Sequence, residues 1–323
     1  MNHPSDTPTV SIVILVKNGD GTLRACIEGI LSQTLCDRLE ILVIDSGSTD
    51  GSLDLLAKYP VRVHHIAARD FNHGDTRNLG VRLAKGEFIA MTVQDARPVD
   101  ERWLERMLKH FEDPHVAGVC GQQIVPHEPD KNPLQWFRPY SAPLSKKIWF
   151  ENRKAFEDLS PAQKVAQCGW DNVTAMYRRS ALLEIPFRSV SFAEDLIWAK
   201  DALSYGYLLV YDYSSRVYHY HRERLGFRFR RHYTIQYHIH RYFGHISVPA
   251  GLVMKLARNA YYISKRNYCP QRRLSWLAYN ARLAIEEWLS GWYFWLVAKV
   301  GGISAVEKAH RRLCTTPPQP QRA

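Results

Sequence analysis

The chain has 323 residues, of which 46% are hydrophobic and 23% charged; it can bury a sizeable core, and disordered or collagen-like classes are excluded. Its net charge of +11 is unevenly placed: residues 1–215 hold 24 lysines and arginines against 28 acids, and residues 216–323 hold 19 against 4. Such a basic block implies an anionic partner: lipid headgroups, nucleic acid or a pyrophosphate-linked acceptor. Six cysteines (Cys26, Cys36, Cys120, Cys168, Cys269 and Cys314) show no paired spacing, so a disulfide framework or zinc site is not expected, and a reducing cytosol is the natural compartment.

Residues 9–16 (TVSIVILV) are a β-branched run of the kind that forms a strand buried on both faces. Leu23, Cys26, Ile27, Ile30 and Leu31 follow at helical spacing within 23–33, and 39–44 (LEILVI) repeats the buried-strand signal, ending at Asp45. A helix fits 51–59, a strand 61–66, a helix 76–84 and a strand 87–93, which ends in Gln94 and Asp95. This alternation predicts an α/β fold with a mainly parallel sheet flanked by helices. In open α/β sheets ligands bind outside the carboxyl ends of the strands, where Asp45 and Asp95 both fall.

Further on, 103–111 reads as a helix, 118–124 as a strand, 126–168 as irregular, 194 onward as a helix opened by Glu194 and Asp195, and 207–218 as a last strand. Beyond it the tail, helical by pattern, interleaves Arg, Tyr, Trp and Leu. The start, MNHPSDTPTV, has no basic-then-apolar signal pattern. The late apolar run 288–300 is broken by Gly291 and Lys299 and is shorter than the ~20 residues of a membrane span. The expectation is a cytoplasmic protein, peripheral on the inner face of the membrane, with a catalytic domain at 1–221 and a basic, aromatic-rich helical tail at 222–323. The tail reads as an interfacial surface for anionic lipid, with nucleic acid and a solvated face as alternatives; no nucleic-acid motif supports the second.

Four segments in order, VSIVILVKN, ILVIDSGSTDGS, FNHGDTRNLGVRLAKGEFIAMTVQDARP and FAEDLIWAKDALSYGY, resemble the large inverting glycosyltransferase family with the GT-A (Rossmann-like) fold, over residues 9–221. FNHG-TRN-G followed by QDA, with DNVTAMYRRSAL and IPF, is similar to its rhamnosyltransferase branch. The resemblance implies transfer of a sugar, rhamnose from dTDP-rhamnose, to a cell-surface glycan or lipid-linked acceptor. It makes Asp195 the general base and Asp95 the metal-binding acid, with Val93 where the family's first acid stands. A further ligand is then needed, and His219 occupies the place of a family histidine, with His221 adjacent. The cation is Mn2+ or Mg2+, and an imidazole ligand favours manganese.

Donor-binding expectations fall on Lys17, Asp45, Asn72, Arg77, Gln94 and Asp95, with Asp45 on the nucleotide and the Arg77 guanidinium forking onto phosphate oxygens. Acceptor binding is expected at Glu194, Trp170, Asp171 and Asn172, with Trp170 stacking on a sugar ring. Each has a structural alternative: an Asx turn at Asp45, a turn at 72–78, a helix cap at 194–195 and a core tryptophan at 170. A sugar-phosphate nucleotidyltransferase would need a glycine-rich phosphate loop after the first strand, of which Lys17–Gly21 is a poor version. A non-catalytic glycan-binding or scaffold protein is the third reading, motivated by Val93 and Ala96. The oligomeric state is not legible.

Overall fold

The computed structural model describes residues 8–135, 145–249, 251–265 and 270–314; Cys269 and the Pro/Gln-rich end lie outside the described residues. The chain divides into two compact units, one of residues 1–124, 140–159 and 166–219, the other of 125–139, 160–165 and 220–323.

Up to His219 the elements run β1 (Val10–Val16), α1 (Leu23–Leu31), β2 (Leu39–Asp45), α2 (Ser52–Leu56), β3 (Arg62–His65), α3 (His73–Leu83), β4 (Phe88–Val93), β5 (Arg97–Pro98) and α4 (Trp103–Lys109). There follow β6 (Val116–Ile124), β7 (Ser145–Ile148), α5 (Arg153–Glu157), α6 (Pro161–Gln167), β8 (Ala175–Arg178), α7 (Arg179–Glu184), α8 (Glu194–Ser204) and β9 (Leu208–Tyr218). They form a mixed α/β structure whose sheet has the order β3-β2-β1-β4-β8-β6-β9-β5, with β7 on β9.

β1 to β4 are mutually parallel, and the chain winds outward from β1 in both directions. The crevice at their carboxyl ends therefore opens between β1 and β4. All seven residues of β1 are buried, which explains a run that is apolar at every position but Ser11. Each Ile or Val there contributes about 1.5–3 kcal/mol by leaving water. α1 lays Leu23, Cys26, Ile27 and Ile30 into the same core, at i, i+3, i+4 and i+7.

The structure departs from the sequence reading in three places. The stretch 126–168 is not wholly irregular but carries β7, α5 and α6, all too short to show periodicity. β8 lies antiparallel to both β4 and β6; a four-residue strand with no flanking turn signal is invisible to pattern. α3 begins at His73 rather than Thr76, because the Asn72 side chain accepts hydrogen bonds from the amides of Gly74 and Asp75.

The second unit holds α9 (Phe227–Phe243), α10 (Leu252–Lys265) and α11 (Arg273–Leu313). α11 breaks at Gly302, whose φ of 60° and ψ of −162° are not helical. α9 and α11 share a core of Tyr233, Tyr237, Phe294, Ala298 and Val306, and Tyr237 stacks on His310 with centroids 4.5 Å apart. No described helix is long and apolar enough to cross a membrane.

Gly74 shows how tightly the first unit closes around its crevice. A Cβ there would lie 1.9 Å from the carbonyl oxygen of Arg188, in the segment leading to α8. Backbone cannot yield as a flexible side chain does, so Gly74→Ala is expected to destabilise the protein by roughly 1–3 kcal/mol, read as a lowered denaturation midpoint.

Candidate active site

The loops at the carboxyl ends of β1, β2 and β4 are sewn together by side chains. Gln94 Oε1 accepts from the Lys17 amide at 2.8 Å, and Gln94 Nε2 donates to the Lys17 carbonyl at 3.2 Å. Asn18 Oδ1 accepts from the Thr49 amide at 2.8 Å, and Ser52 Oγ from the Gly19 amide at 2.7 Å. Gln94 is thus a clamp on the β1 loop, taken up by backbone rather than aimed at a diphosphate. Lys17 presents its side chain to solvent beside that clamp.

Asp45 is 2% exposed and accepts from the amides of Gly47 (3.1 Å) and Ser48 (3.2 Å), with His65 Nδ1 at 3.3 Å. The Asx-turn alternative is therefore what its carboxylate does. Asn72 likewise acts as a helix cap, as described above.

Asp95 follows directly on β4. One of its oxygens lies 3.5 Å from Nε2 of His219, at the end of β9, and the two belong to a group whose ligand atoms can share one cation. His219 Nδ1 is 2.7 Å from Gln123 Oε1. An amide oxygen only accepts, so Gln123 holds the Nδ1 side of the ring by its N–H and leaves Nε2 turned toward Asp95. Oxygen and nitrogen ligands at ~2.0–2.2 Å from one ion stand about 3 Å apart, so the pair fits a divalent cation with little movement. Sequence reasoning missed Gln123, which lies one residue before the end of β6 with no motif to mark it.

Asp195 opens α8 behind Ala193, a non-glycine residue at φ 63°. The left-handed backbone costs about 1–2 kcal/mol for a side-chain-bearing residue and sets the carboxylate at the start of the helix. Its oxygens accept from the amides of Leu196 (2.8 Å) and Asn172 (3.1 Å). Burial, with the neighbouring charges of Glu194 and Asp171, pushes its pKa up to about 8. Burial also raises Asp171, against hydrogen bonds from Gln123 and the Val173 amide. A polar line thus runs from Asp95 through His219, Gln123 and Asp171 to the neighbourhood of Asp195.

Four expectations are corrected. Arg77 is buried, its Nε 2.8 Å from Glu194 Oε1, so the fork faces an acid inside the protein rather than a phosphate. Glu194 is 4% exposed and also accepts from Asn172 Nδ2 at 3.1 Å, so it meets no acceptor. Burial pushes that carboxyl upward, but Arg77 and His73 outweigh it and hold it below the usual range. Asn172, 2% exposed, links Glu194, Tyr177 and Asp195, and positions them. Trp170 is 3% exposed, packed against Trp198, Tyr177 and Tyr211 with its indole N–H on the Tyr177 hydroxyl, so no sugar can stack on it.

Residues 11–185 match the model of the family described as Glycosyl transferase family 2. Among relatives, O-antigen chain rhamnosyltransferase RfbN of Salmonella typhimurium is 29% identical over 229 residues, 69% of this chain and 70% of that protein. O-antigen chain rhamnosyltransferase WbaN of Salmonella anatum is 30% identical over 198 residues, 60% of each. Among solved structures, the mannosyltransferase PcManGT from Pyrobaculum calidifontis, in complex with GDP-Man and Mn2+, superposes with a TM-score of 0.53 at 17% identity, over 97% of this chain and 82% of that one. S. aureus TarS 1-349 gives 0.52 at 15%, over 94% and 83%. These two share the fold.

Removing Arg77 leaves Glu194 charged and buried, which costs about 3–5 kcal/mol. Arg77→Met is therefore expected to lower stability by that order, and Arg77→Met with Glu194→Gln to recover much of it. Additive losses in a denaturation cycle would show that the pair does not interact.

Proposed function

The chain belongs to glycosyl transferase family 2 and is a glycosyltransferase, and from that premise we propose that it transfers rhamnose from dTDP-rhamnose, by one inverting displacement, to a glycan or lipid-linked acceptor. The observation that carries the mechanism is Asp195: a half-buried carboxylate raised to about 8, in the unit that also holds the Asp95–His219 pair. The sugar rests on the two O-antigen rhamnosyltransferase relatives and on the QDA spelling at Gln94–Ala96. The acceptor's lipid linkage would bring the protein to the inner face of the membrane.

In this reading Asp195 takes the proton of the acceptor hydroxyl as that oxygen bonds to the anomeric carbon. The bond from that carbon to the diphosphate breaks on the opposite face, and the nucleoside diphosphate leaves with the bonding pair. One displacement inverts the configuration. Asp95 and His219 would hold a divalent cation, Mn2+ or Mg2+. When bound, such an ion neutralises the departing diphosphate. Gln123 keeps Nε2 of His219 on the side of Asp95, and the Gln94 clamp fixes the backbone of Lys17, whose ammonium is left to meet phosphate. Asp45 shapes the β2 loop against which the nucleotide would lie.

A base must be ionised to accept a proton. Transfer at saturating donor is expected to rise about tenfold per pH unit on the acid side and to level off above about 8, or lower if bound cation pulls the carboxyl down. Asp195→Asn should reduce turnover by about 10²–10⁴-fold while nucleotide-sugar still binds in calorimetry. Loss of donor binding instead would sink the assignment of the base. Asp95→Ala should abolish the manganese-dependent part of donor binding. Full activity in chelator would overturn the metal's role.

A further inference from the structure

α11 has two apolar faces. One is buried in the second unit through Trp276, Leu283, Phe294 and Ala298. The other carries Leu274, Ile285, Leu289, Trp292, Leu296 and Val300, all exposed, with Leu274 at 81% and Val300 at 82%. From Ile285 the steps are four, three, four and four residues, and Leu274 stands eleven residues before it, as Leu296 stands eleven after. Eleven residues make three turns at 3.67 per turn, so the stripe stays on one side of a straight helix for about 39 Å. An apolar face of that length is far from the scattered single exposures of an ordinary surface.

The charges around the stripe are one-sided. The acids within its span are Glu286, which is buried and paired with Arg282 at 2.8 Å, and Glu287, which pairs with Lys255 of α10 at 2.6 Å. Exposed cations remain at Lys299 on α11 and at Arg258 and Lys265 on α10. α10 adds exposed apolar side chains of its own, Val253, Met254 and Tyr261.

We propose that this face of the second unit is a docking surface for an anionic lipid bilayer. The Trp292–Leu296 stretch lies in the acyl boundary and Arg258, Lys265 and Lys299 among the headgroups. Two features favour lipid over a second copy of the chain. A coiled-coil seam is flanked by charged residues of both signs, whereas this stripe is flanked by Trp288, Tyr293 and Trp295, side chains that settle where hydrocarbon meets water. Two copies of a segment with 19 cations against 4 acids repel each other, while an anionic surface attracts it. The proposal deepens the reading of a lipid-linked acceptor, but its test does not use the transfer reaction.

The full chain is floated with vesicles of phosphatidylglycerol mixed with phosphatidylcholine, and with phosphatidylcholine alone. It should float with the first and bind the second at least ~10-fold more weakly, as expected when several cations each gain from the surface potential. Leu289→Glu with Leu296→Glu, both at exposed positions, should keep the native circular dichroism and lose flotation by a similar factor. Arg258→Glu with Lys299→Glu should remove the preference for anionic vesicles. The idea is overturned by a wild type that does not float, or by a Leu289/Leu296 variant that floats equally well. It is overturned too by a wild type that sediments as a dimer which that variant dissolves, with no vesicle binding. Donor hydrolysis is measured in parallel: its absence with flotation intact counts against the transferase mechanism and leaves the docking surface standing.

Discussion

The ion pair between Arg77 and Glu194 is the constraint on which the rest of the crevice depends. Its side chains are 4% and 6% exposed and its contact is 2.8 Å, so neither charge has water to fall back on. Such a pair persists only where further hydrogen bonds satisfy it, which Asn172 does for Glu194. One guanidinium balances one carboxylate, yet Asp171 and Asp195 stand close by, each raised first by burial. The surplus of negative charge is relieved at Asp195, which stays protonated up to about 8. Positive charge brought into the crevice would draw that pKa back down. The proton affinity of Asp195 is therefore tied to the charge state of its surroundings, and not to its own position alone.

The crevice is stiff because its backbone is held by side chains. Gln94 grips Lys17 from both sides, Asn18 grips Thr49, and Asp45 grips the turn after β2. Among the described residues the two non-glycines with positive φ, Asn18 and Ala193, both lie at these strand and helix ends. Strain of this kind survives only where neighbours over-determine the conformation, and it collects where side chains must point in one direction. Gln94, Arg77, Glu194 and Asn172, expected to touch donor or acceptor, turn out to build the frame.

This is also where the sequence stopped being legible. β1, β2 and β4 announced themselves because burial on both faces demands an apolar run, and the acids at their ends marked the crevice. The places of Asp195, Asp95 and His219, after a strand or at a helix start, were readable. What each side chain bonds to was not, because the partners are far apart in sequence: Arg77 and Glu194 by 117 residues, His219 and Gln123 by 96. Trp170 could be read equally as a stacking platform or as core. Only the packing of Trp198, Tyr177 and Tyr211 around it decides between them. Gln123 and β8 left no signal at all, since one amide in a strand and a four-residue strand both lie below what periodicity resolves.

The tail posed the opposite problem, a signal too rich for one reading. A helix apolar on one face packs on a core, and a helix apolar on all sides is buried. α11 is apolar on two faces of which one is covered, so its composition taken alone mimics an interior helix. Its interrupting residues separate the cases. Gly291, Ser290 and Asn280 lie on the covered side, where close packing and a paired amide explain them, Asn280 meeting Asn132 at 2.9 Å. Lys299 lies on the open side, where an interior helix would carry no cation. The positive charge of this segment and its uncovered apolar stripe are thus two halves of one surface property. A segment that only needed solubility would carry the charge without the stripe, and one that only needed a core would bury the stripe.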